Sequence, residues 1–130
     1  MNTRILGILA ALVVAGAAQA DPVHGDWRTT ADDNGNTGII RVAACGDKIC
    51  GTLVKALDGS GQEIASDNVG KRIIWDMEAQ GGGAYAKGKV WSPDRDKTYN
   101  SKMQLTGDKL AISGCVLVVC RDGGTWTRVN

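Results

Sequence analysis

The sequence predicts an all-β protein, a single small antiparallel up-and-down barrel of about eight strands. Three observations support this class. After residue 20, no window of ten or more residues shows helical periodicity, apolar stretches have the length of strands, and clusters rich in Gly, Asp and Asn separate them. Most of the 18 glycines fall in those clusters. A β-sandwich is the alternative with the same pattern.

The turn clusters divide the chain into eight expected strands. They are 25–30, 37–45, 48–57, 71–78, 84–92, 97–105, 109–115 and 124–129. Alternation of apolar and polar residues then predicts which side chains face inward. Two strands have large inward residues: Ile73, Trp75 and Met77 on one, and Tyr99, Ser101, Met103 and Leu105 on the other.

The strand between those two has a small inward face. It presents Ala84, Ala86, Gly88 and Val90. The sequence therefore predicts a lopsided interior that leaves space for a small ligand, with a lining that includes Trp75, Tyr99, Met103 and Gly88. The alternative is a solid barrel in which the large side chains fill that space.

Residues 1–20 are typical of a secretory signal peptide. An early positive charge precedes an apolar run, and Ala18-Gln19-Ala20 stands just before Asp21. The apolar run is shorter than the roughly 20 residues that a membrane-spanning helix needs. We therefore expect cleavage after Ala20 and a soluble mature domain, 21–130, in the periplasm or outside the cell, with no membrane span.

The expected mature chain is long enough for one domain, because cleavage leaves 110 of the 130 residues. The whole chain has 15 basic and 14 acidic residues. Removal of Arg4 leaves 14 of each, so the mature net charge is 0. Nucleic acid is excluded as an expected partner, because phosphate binding requires a concentrated basic face.

The four cysteines form two C-x4-C segments, Cys45 with Cys50 and Cys115 with Cys120. An even number of cysteines in a small exported domain is typical of disulfide bonds. Structural zinc favours C-x2-C spacing, and thioredoxin-like chemistry requires C-x-x-C. Four cysteines allow three connectivities. Direct opposition across a hairpin favours the two local pairs.

The two ends of the mature chain resemble the ends of lipocalins and their calycin relatives. The opening strand contains "GDW" at 25–27, and the closing strand contains "TWTR" at 125–128. The resemblance implies that Trp27 plugs one end of a barrel and that Arg128 packs across it, as a guanidinium stacks on an indole. The T-D-Y segment of lipocalins has no counterpart beyond a partial echo in "KTYN", so lipocalin ligands are not carried over.

Nearly the whole mature chain is similar to a bacterial family of small exported proteins, known as domain of unknown function 2147. The similarity runs through "GDW", "CGDKICGTLV", "DN" at 67–68, "GKVWSP" followed by "KTY", and "LAISGC" leading to "WTRV". It implies a lipocalin-like barrel for residues 21–130 and no known activity.

The sequence contains no catalytic or metal-binding constellation. His24 precedes the first strand, where a histidine is typically exposed, and no G-x-S-x-G is present. "SDN" at 66–68 lacks the S-x-x-K and K-T-G that accompany it in β-lactamases. The loop from Asp32 has Thr37 and Ala43 where a calcium loop needs glycine and glutamate. We therefore expect no enzyme, metal or cofactor.

An apolar run, "VLVV" at 116–119, stands between two cysteines. Such a run typically folds into the core, and the alternative is a hydrophobic lip at a barrel mouth. The predicted function is binding of a small apolar or amphipathic molecule. The alternative is a protein-interaction module of the cell envelope with a solid barrel and no ligand.

Overall fold

Eight of the nine strands in the computed structural model, which describes residues 21–130, close into an antiparallel barrel. The strands are β1 (Gly25–Arg28), β2 (Thr37–Cys45), β3 (Lys48–Leu57), β4 (Glu63–Ile64), β5 (Arg72–Gly81), β6 (Ala84–Ser92), β7 (Lys97–Thr106), β8 (Lys109–Val116) and β9 (Val119–Arg128). The expected signal peptide lies outside the described residues. Among the described residues, no helix has the length and apolar character needed to cross a membrane.

The barrel has simple up-and-down connectivity. Its order runs from β1 through β2, β3, β5, β6, β7, β8 and β9, and β9 pairs with β1 to close it. The two-residue strand β4 pairs only with β3 and stands outside this circuit. Closure excludes the sandwich alternative, and the predicted all-β barrel class is confirmed. β9 begins at Val119, five residues before its expected start, because its hairpin with β8 continues to a two-residue turn.

The two ends of the barrel differ. One end, called the open end, carries the loop 29–36, the segment 58–71, the turn 93–96 and the turn 117–118. The opposite end, called the closed end, carries the two-residue turns 46–47, 82–83 and 107–108, together with residues 21–24 and 129–130. Each of the eight barrel strands therefore runs between the open end and the closed end.

Strand β7 follows the predicted alternation. Ser101 and Met103 are buried, Tyr99 and Leu105 are half-buried, and the residues between them are exposed. Continuous pairing with β8, from Asn100 opposite Cys115 to Thr106 opposite Lys109, keeps this period intact. The same inward face therefore serves both halves of the barrel.

Strands β5 and β6 depart from the predicted alternation. Ile74 and Met77 are fully buried on β5, whereas Trp75 is half-exposed and lies outside the core cluster. On β6, Tyr85 is buried instead of its neighbours. The cause is local backbone geometry, because Asp76 at φ 57° and Lys87 at φ 64° interrupt the extended conformation. Each interruption shifts the inward face by one residue.

The hydrophobic core fills the closed half of the barrel. Its largest fully buried side chains include Trp27, Ile40, Ile74, Met77 and Leu110. Tyr85 and Met103 belong to the same cluster. Large side chains from β1, β5, β6, β7 and β8 therefore meet near the closed end, and the open half has fewer of them.

Both local cysteine pairs are present in the structure, Cys45 with Cys50 and Cys115 with Cys120, and no described cysteine is free. Cys115 lies directly opposite Cys120, as expected. The expected direct opposition of Cys45 and Cys50 is wrong. Cys45 lies opposite Lys48, because a two-residue turn joins β2 to β3, so the first pair is diagonal.

Candidate ligand-binding cavity

A cavity of about 1100 Å³ occupies the open half of the barrel. Its inner wall is apolar and aromatic, and its lining includes Ile40, Leu53, Ile73, Val90, Tyr99, Ile112 and Trp126. Most of these side chains also belong to the core cluster or pack against it, so the core forms the floor of the cavity. Burial of an apolar molecule against this wall removes apolar surface from water on both partners.

Small residues explain why the open half has room. Ala56 on β3 and Gly114 on β8 both line the cavity. A Cβ atom added at Gly114 meets the Cβ of Tyr99 at 3.5 Å, which is ordinary van der Waals contact. A methyl group at position 114 therefore fits in contact with Tyr99.

The mouth of the cavity is polar. Its lining includes Thr30, Asn36, Ser66, Asn68 and Ser92, together with the charged residues Asp32, Asp94, Arg95, Arg121 and Asp122. Trp91 lines the rim, where its Nε1 donates to Asp96 Oδ1 at 3.0 Å and Lys71 Nζ lies 5.2 Å from its ring centroid. An apolar floor below a polar mouth matches an amphipathic ligand.

The structure places the four predicted lining residues differently. Tyr99 lines the cavity, whereas Trp75, Met103 and Gly88 do not. Met103 is buried in the core cluster below the cavity. Trp75 is half-exposed because the face of β5 shifts at Asp76.

Gly88 does not border the expected interior space. A Cβ atom there would collide with Met77 Sδ and would lie 2.8 Å from the carbonyl oxygen of Trp75. The side chain of Met77 thus occupies the space that a small residue on β6 had suggested. Gly88 borders a separate recess of about 220 Å³, beside Ser101 and Cys115.

Several lining residues were missed from the sequence, among them Trp126, Ile112, Ile40 and Leu53. A sequence signal for the space existed, because Ala56 and Gly114 interrupt the large inward residues of their strands near the open end. Interpretation of that signal requires the strand direction and the neighbour across the barrel, which alternation alone does not provide.

The run Val116–Val119, called the apolar tip, is exposed at the open end instead of folded into the core. The exposed fractions are 62% for Val116, 88% for Leu117, 95% for Val118 and 60% for Val119. Val116, Leu117 and Val119 also line the mouth of the cavity. The expectation of a buried run is therefore wrong, and the alternative of a hydrophobic lip describes its position.

Trp27 and Arg128 meet at the closed end. The guanidinium carbon of Arg128 lies 4.3 Å from the ring centroid of Trp27, which is fully buried. Arg128 donates through Nη1 to the carbonyl oxygen of His24 at 3.0 Å and through Nη2 to that of Pro22 at 2.5 Å. Trp27 Nε1 donates to the carbonyl oxygen of Val23 at 2.9 Å. These contacts hold residues 21–24 across the barrel, and that segment is called the plug.

Tyr85 holds the first residue of the plug. Its hydroxyl donates to Asp21 Oδ1, and the same carboxylate oxygen accepts from the backbone N–H of Val23 at 2.9 Å. Burial raises the pKa of Tyr85 above its usual range, and the hydrogen bond to Asp21 adds to this shift. The closed end is thus sealed by aromatic packing and by bonds to backbone carbonyls.

Within residues 21–130, no histidine or cysteine lines the cavity. His24 lies in the plug at the closed end, half-buried instead of exposed, and its Nε2 has no hydrogen-bond partner within residues 21–130. Within the same residues, no group of three or more His, Cys, Asp or Glu side chains is placed to hold a metal ion. The lining offers apolar contacts on the floor and hydrogen-bonding groups at the mouth.

Comparisons with known proteins agree with this architecture. Protein HP1028 from Helicobacter pylori, described as a member of the lipocalin family, is similar in structure with a TM-score of 0.64. The two proteins share 14% sequence identity over 82% of each chain, so the likeness concerns the fold. A search of curated protein sequences found no significant match. Residues 25–128 match the model of a bacterial family described as uncharacterized protein conserved in bacteria (DUF2147), and the chain belongs to that family.

Proposed function

We propose that this protein binds a small, partly apolar molecule in the cavity of its open half, and that it does so in the periplasm or outside the cell. The observation that carries the proposal is the cavity itself, about 1100 Å³ with an apolar and aromatic floor. Small-molecule sites are typically about 300–1,000 Å³, mostly apolar, with a few polar groups that fix orientation. The volume of this cavity lies slightly above that range.

The distribution of polar groups favours an amphipathic ligand. The floor, with Ile40, Leu53 and Ile112, provides contacts for an alkyl or ring system, and the mouth provides Asn68, Arg95 and other polar groups. A ligand with an apolar body and a polar end would satisfy both regions without leaving a buried polar group unpaired. A medium-chain fatty acid has these properties and is a suitable first probe.

Two disulfide-paired hairpins support an oxidising compartment. All four cysteines are paired within the described residues. Disulfides persist mainly in secreted and periplasmic proteins. This agrees with the export expected from residues 1–20.

The alternative function, a protein-interaction module, depended on a solid barrel. The cavity beside Gly114 and Tyr99 weighs against that premise. The apolar tip is the one observation that favours contact with another surface, and its location beside the mouth is compatible with ligand binding.

A titration with dodecanoic acid, followed by tryptophan fluorescence, tests the proposal. Trp126 and Trp91 both line the cavity, so a bound chain should change their emission saturably. We expect a dissociation constant in the micromolar range, on the order of 1–100 μM, for one alkyl chain in an apolar site.

The decisive variant is Gly114→Leu, with Ser113→Leu as its matched control. Gly114 lines the cavity and accepts a Cβ atom at ordinary contact distance, whereas Ser113 precedes it on the same strand and is not part of the lining. We expect Gly114→Leu to weaken binding by at least about tenfold, because its side chain occupies ligand space. Equal effects of the two variants, or no saturable signal from the parent with any apolar probe, would contradict the proposal.

A further inference from the structure

The barrel has four two-residue turns, and one of them differs in composition. Three turns, at the closed end, are Gly46-Asp47, Gly82-Gly83 and Gly107-Asp108. The fourth, at the open end, is Leu117-Val118. Glycine and aspartate are the residues typical of such turns, since they tolerate left-handed backbone and accept solvent exposure.

Leu117 occupies a backbone conformation that favours glycine. Its φ is 54°, close to the 61° of Gly46 and the 57° of Gly107 at the same position of their turns. A leucine there is disfavoured by contact between its Cβ atom and the backbone. It is also 88% exposed, and Val118 beside it is 95% exposed. Neither local geometry nor folding accounts for these two residues.

We propose that the apolar tip inserts into the surface of a lipid membrane and brings the mouth of the cavity against the bilayer. Exposed apolar patches of this kind mark contact with proteins, ligands or membranes. A hairpin end with no charged residue from Val116 to Val119 can enter the headgroup and acyl-chain boundary without burying a charge.

The size of the tip favours lipid over a protein partner or a second copy of this chain. A stable protein interface buries about 800 Å² and 20–30 residues on each side. The tip offers four side chains, two on the turn and two at the strand ends beside it, and the surrounding mouth is polar and charged. A narrow projection of this size is insufficient for a standard interface, but it can partition into a bilayer by itself.

The position of the tip gives this contact a direction. Val116, Leu117 and Val119 line the mouth, so a membrane that covers the tip also faces the cavity. Cys115 lies directly opposite Cys120 at the base of the tip, and their bond keeps the projecting hairpin together. With 14 basic and 14 acidic residues after position 20, the chain has no net charge to attract anionic lipid. Binding should therefore depend on apolar insertion.

The test is cosedimentation of the purified exported protein with large vesicles of phosphatidylcholine. The variant combines Leu117→Gly with Val118→Asp, which gives this turn the composition of Gly46-Asp47 and Gly107-Asp108. Because Gly fits the backbone at 117, the variant should unfold no earlier than the parent in urea. The control is Val129→Asp, since Val129 is an exposed valine at the closed end.

We expect the parent and Val129→Asp to bind the vesicles equally. The double variant should lose at least about tenfold in partitioning, since each inserted Leu or Val contributes about that factor or more. The single variant Val118→Asp changes a residue that does not line the cavity, so its dodecanoic acid affinity should stay within about threefold of the parent.

Three results would overturn the proposal. The first is a parent that does not sediment with the vesicles, or a double variant that sediments as well as the parent. The second is sedimentation that requires phosphatidylglycerol and disappears at high salt, which would show electrostatic adsorption. The third is a parent dimer in sedimentation velocity that the double variant converts to monomer, which would assign the tip to self-association.

Discussion

Replacement of Arg128 by alanine tests how the closed end is sealed. The side chain of Arg128 stacks on Trp27 at 4.3 Å and donates to the carbonyl oxygens of His24 and Pro22. It also lies 3.5 Å from Asp108, through Nε and Oδ1. Alanine removes all of these contacts at once and leaves two carbonyls of the plug to be satisfied by water.

The contacts give an estimate of the loss in stability. Stacking on a buried indole contributes about 1 kcal/mol, between the values for exposed and desolvated pairs. Each charge-assisted hydrogen bond contributes about 1.5 kcal/mol at most here, and less where water competes for the donor. The pair with Asp108 contributes almost nothing, because Asp108 is 79% exposed. We therefore expect Arg128→Ala to lower the free energy of unfolding by about 2 to 3 kcal/mol.

Urea unfolding and thermal unfolding, both followed by fluorescence, measure this change. A loss of this size should lower the thermal midpoint by roughly 10 °C in a domain of this length. Arg128→Lys is the matched control, because it keeps the charge but cannot stack as a plane and reach both carbonyls. We expect it to recover less than half of the loss. A midpoint for Arg128→Ala within error of the parent, or full recovery by lysine, would refute the closure argument.

Four further predictions concern other parts of the chain. Burial raises the pKa of Tyr85, so its contribution to stability is complete below pH 10 and is lost as the pH rises further, because Tyr85 ionises in the unfolded chain before it does in the folded one. Tyr85→Phe should therefore reduce the fall of the urea midpoint at alkaline pH. Gly88→Leu should destabilise the fold by more than 2 kcal/mol, about the cost of overpacking, and soluble protein with an unchanged midpoint would contradict this. Peptide mapping without reduction should recover Cys115 joined to Cys120, and reduction should cost about 2 kcal/mol per short loop without abolishing the fold. The exported protein should begin at Asp21, and an intact mass that retains residues 1–20 would exclude the expected cleavage.

Sequence patterns predicted most of the fold because turns and strand lengths are local. The hairpins of β2 with β3 and of β7 with β8 follow from their turn residues, and the inward face of β7 follows from alternation. The barrel itself follows from the number of strands and from the need to remove sheet edges.

The lining of the cavity was only partly predictable, because a single residue with a positive φ reverses which side chains face inward along the rest of its strand. The identities of Asp76 and Lys87 do not predict a positive φ. Because Asp76 has this conformation, Trp75 lies outside the core instead of facing the interior. Tyr99 was predicted correctly as inward because β7 has no such interruption. The strand partner of Cys45 was predicted wrongly for a different reason, because a two-residue turn and a four-residue turn both fit the same cysteine spacing.

The apolar tip could not be assigned from composition. A run such as Val116–Val119 is as apolar as a core strand. Only its position on a turn, beyond a directly opposed cysteine pair, shows that no other residue of 21–130 covers it. Exposure is a property of the assembled barrel and not of the segment.

Separation of the packed half from the hollow half has a consequence for how this barrel can change. Residues such as Trp27, Met77 and Leu110 set foldability, whereas Ala56 and Gly114 set the shape of the hollow. Substitutions in the second group leave the first in place, so the shape of the cavity can change with little loss of stability. The closed half of the barrel is therefore constrained by stability, whereas the open half can vary in shape.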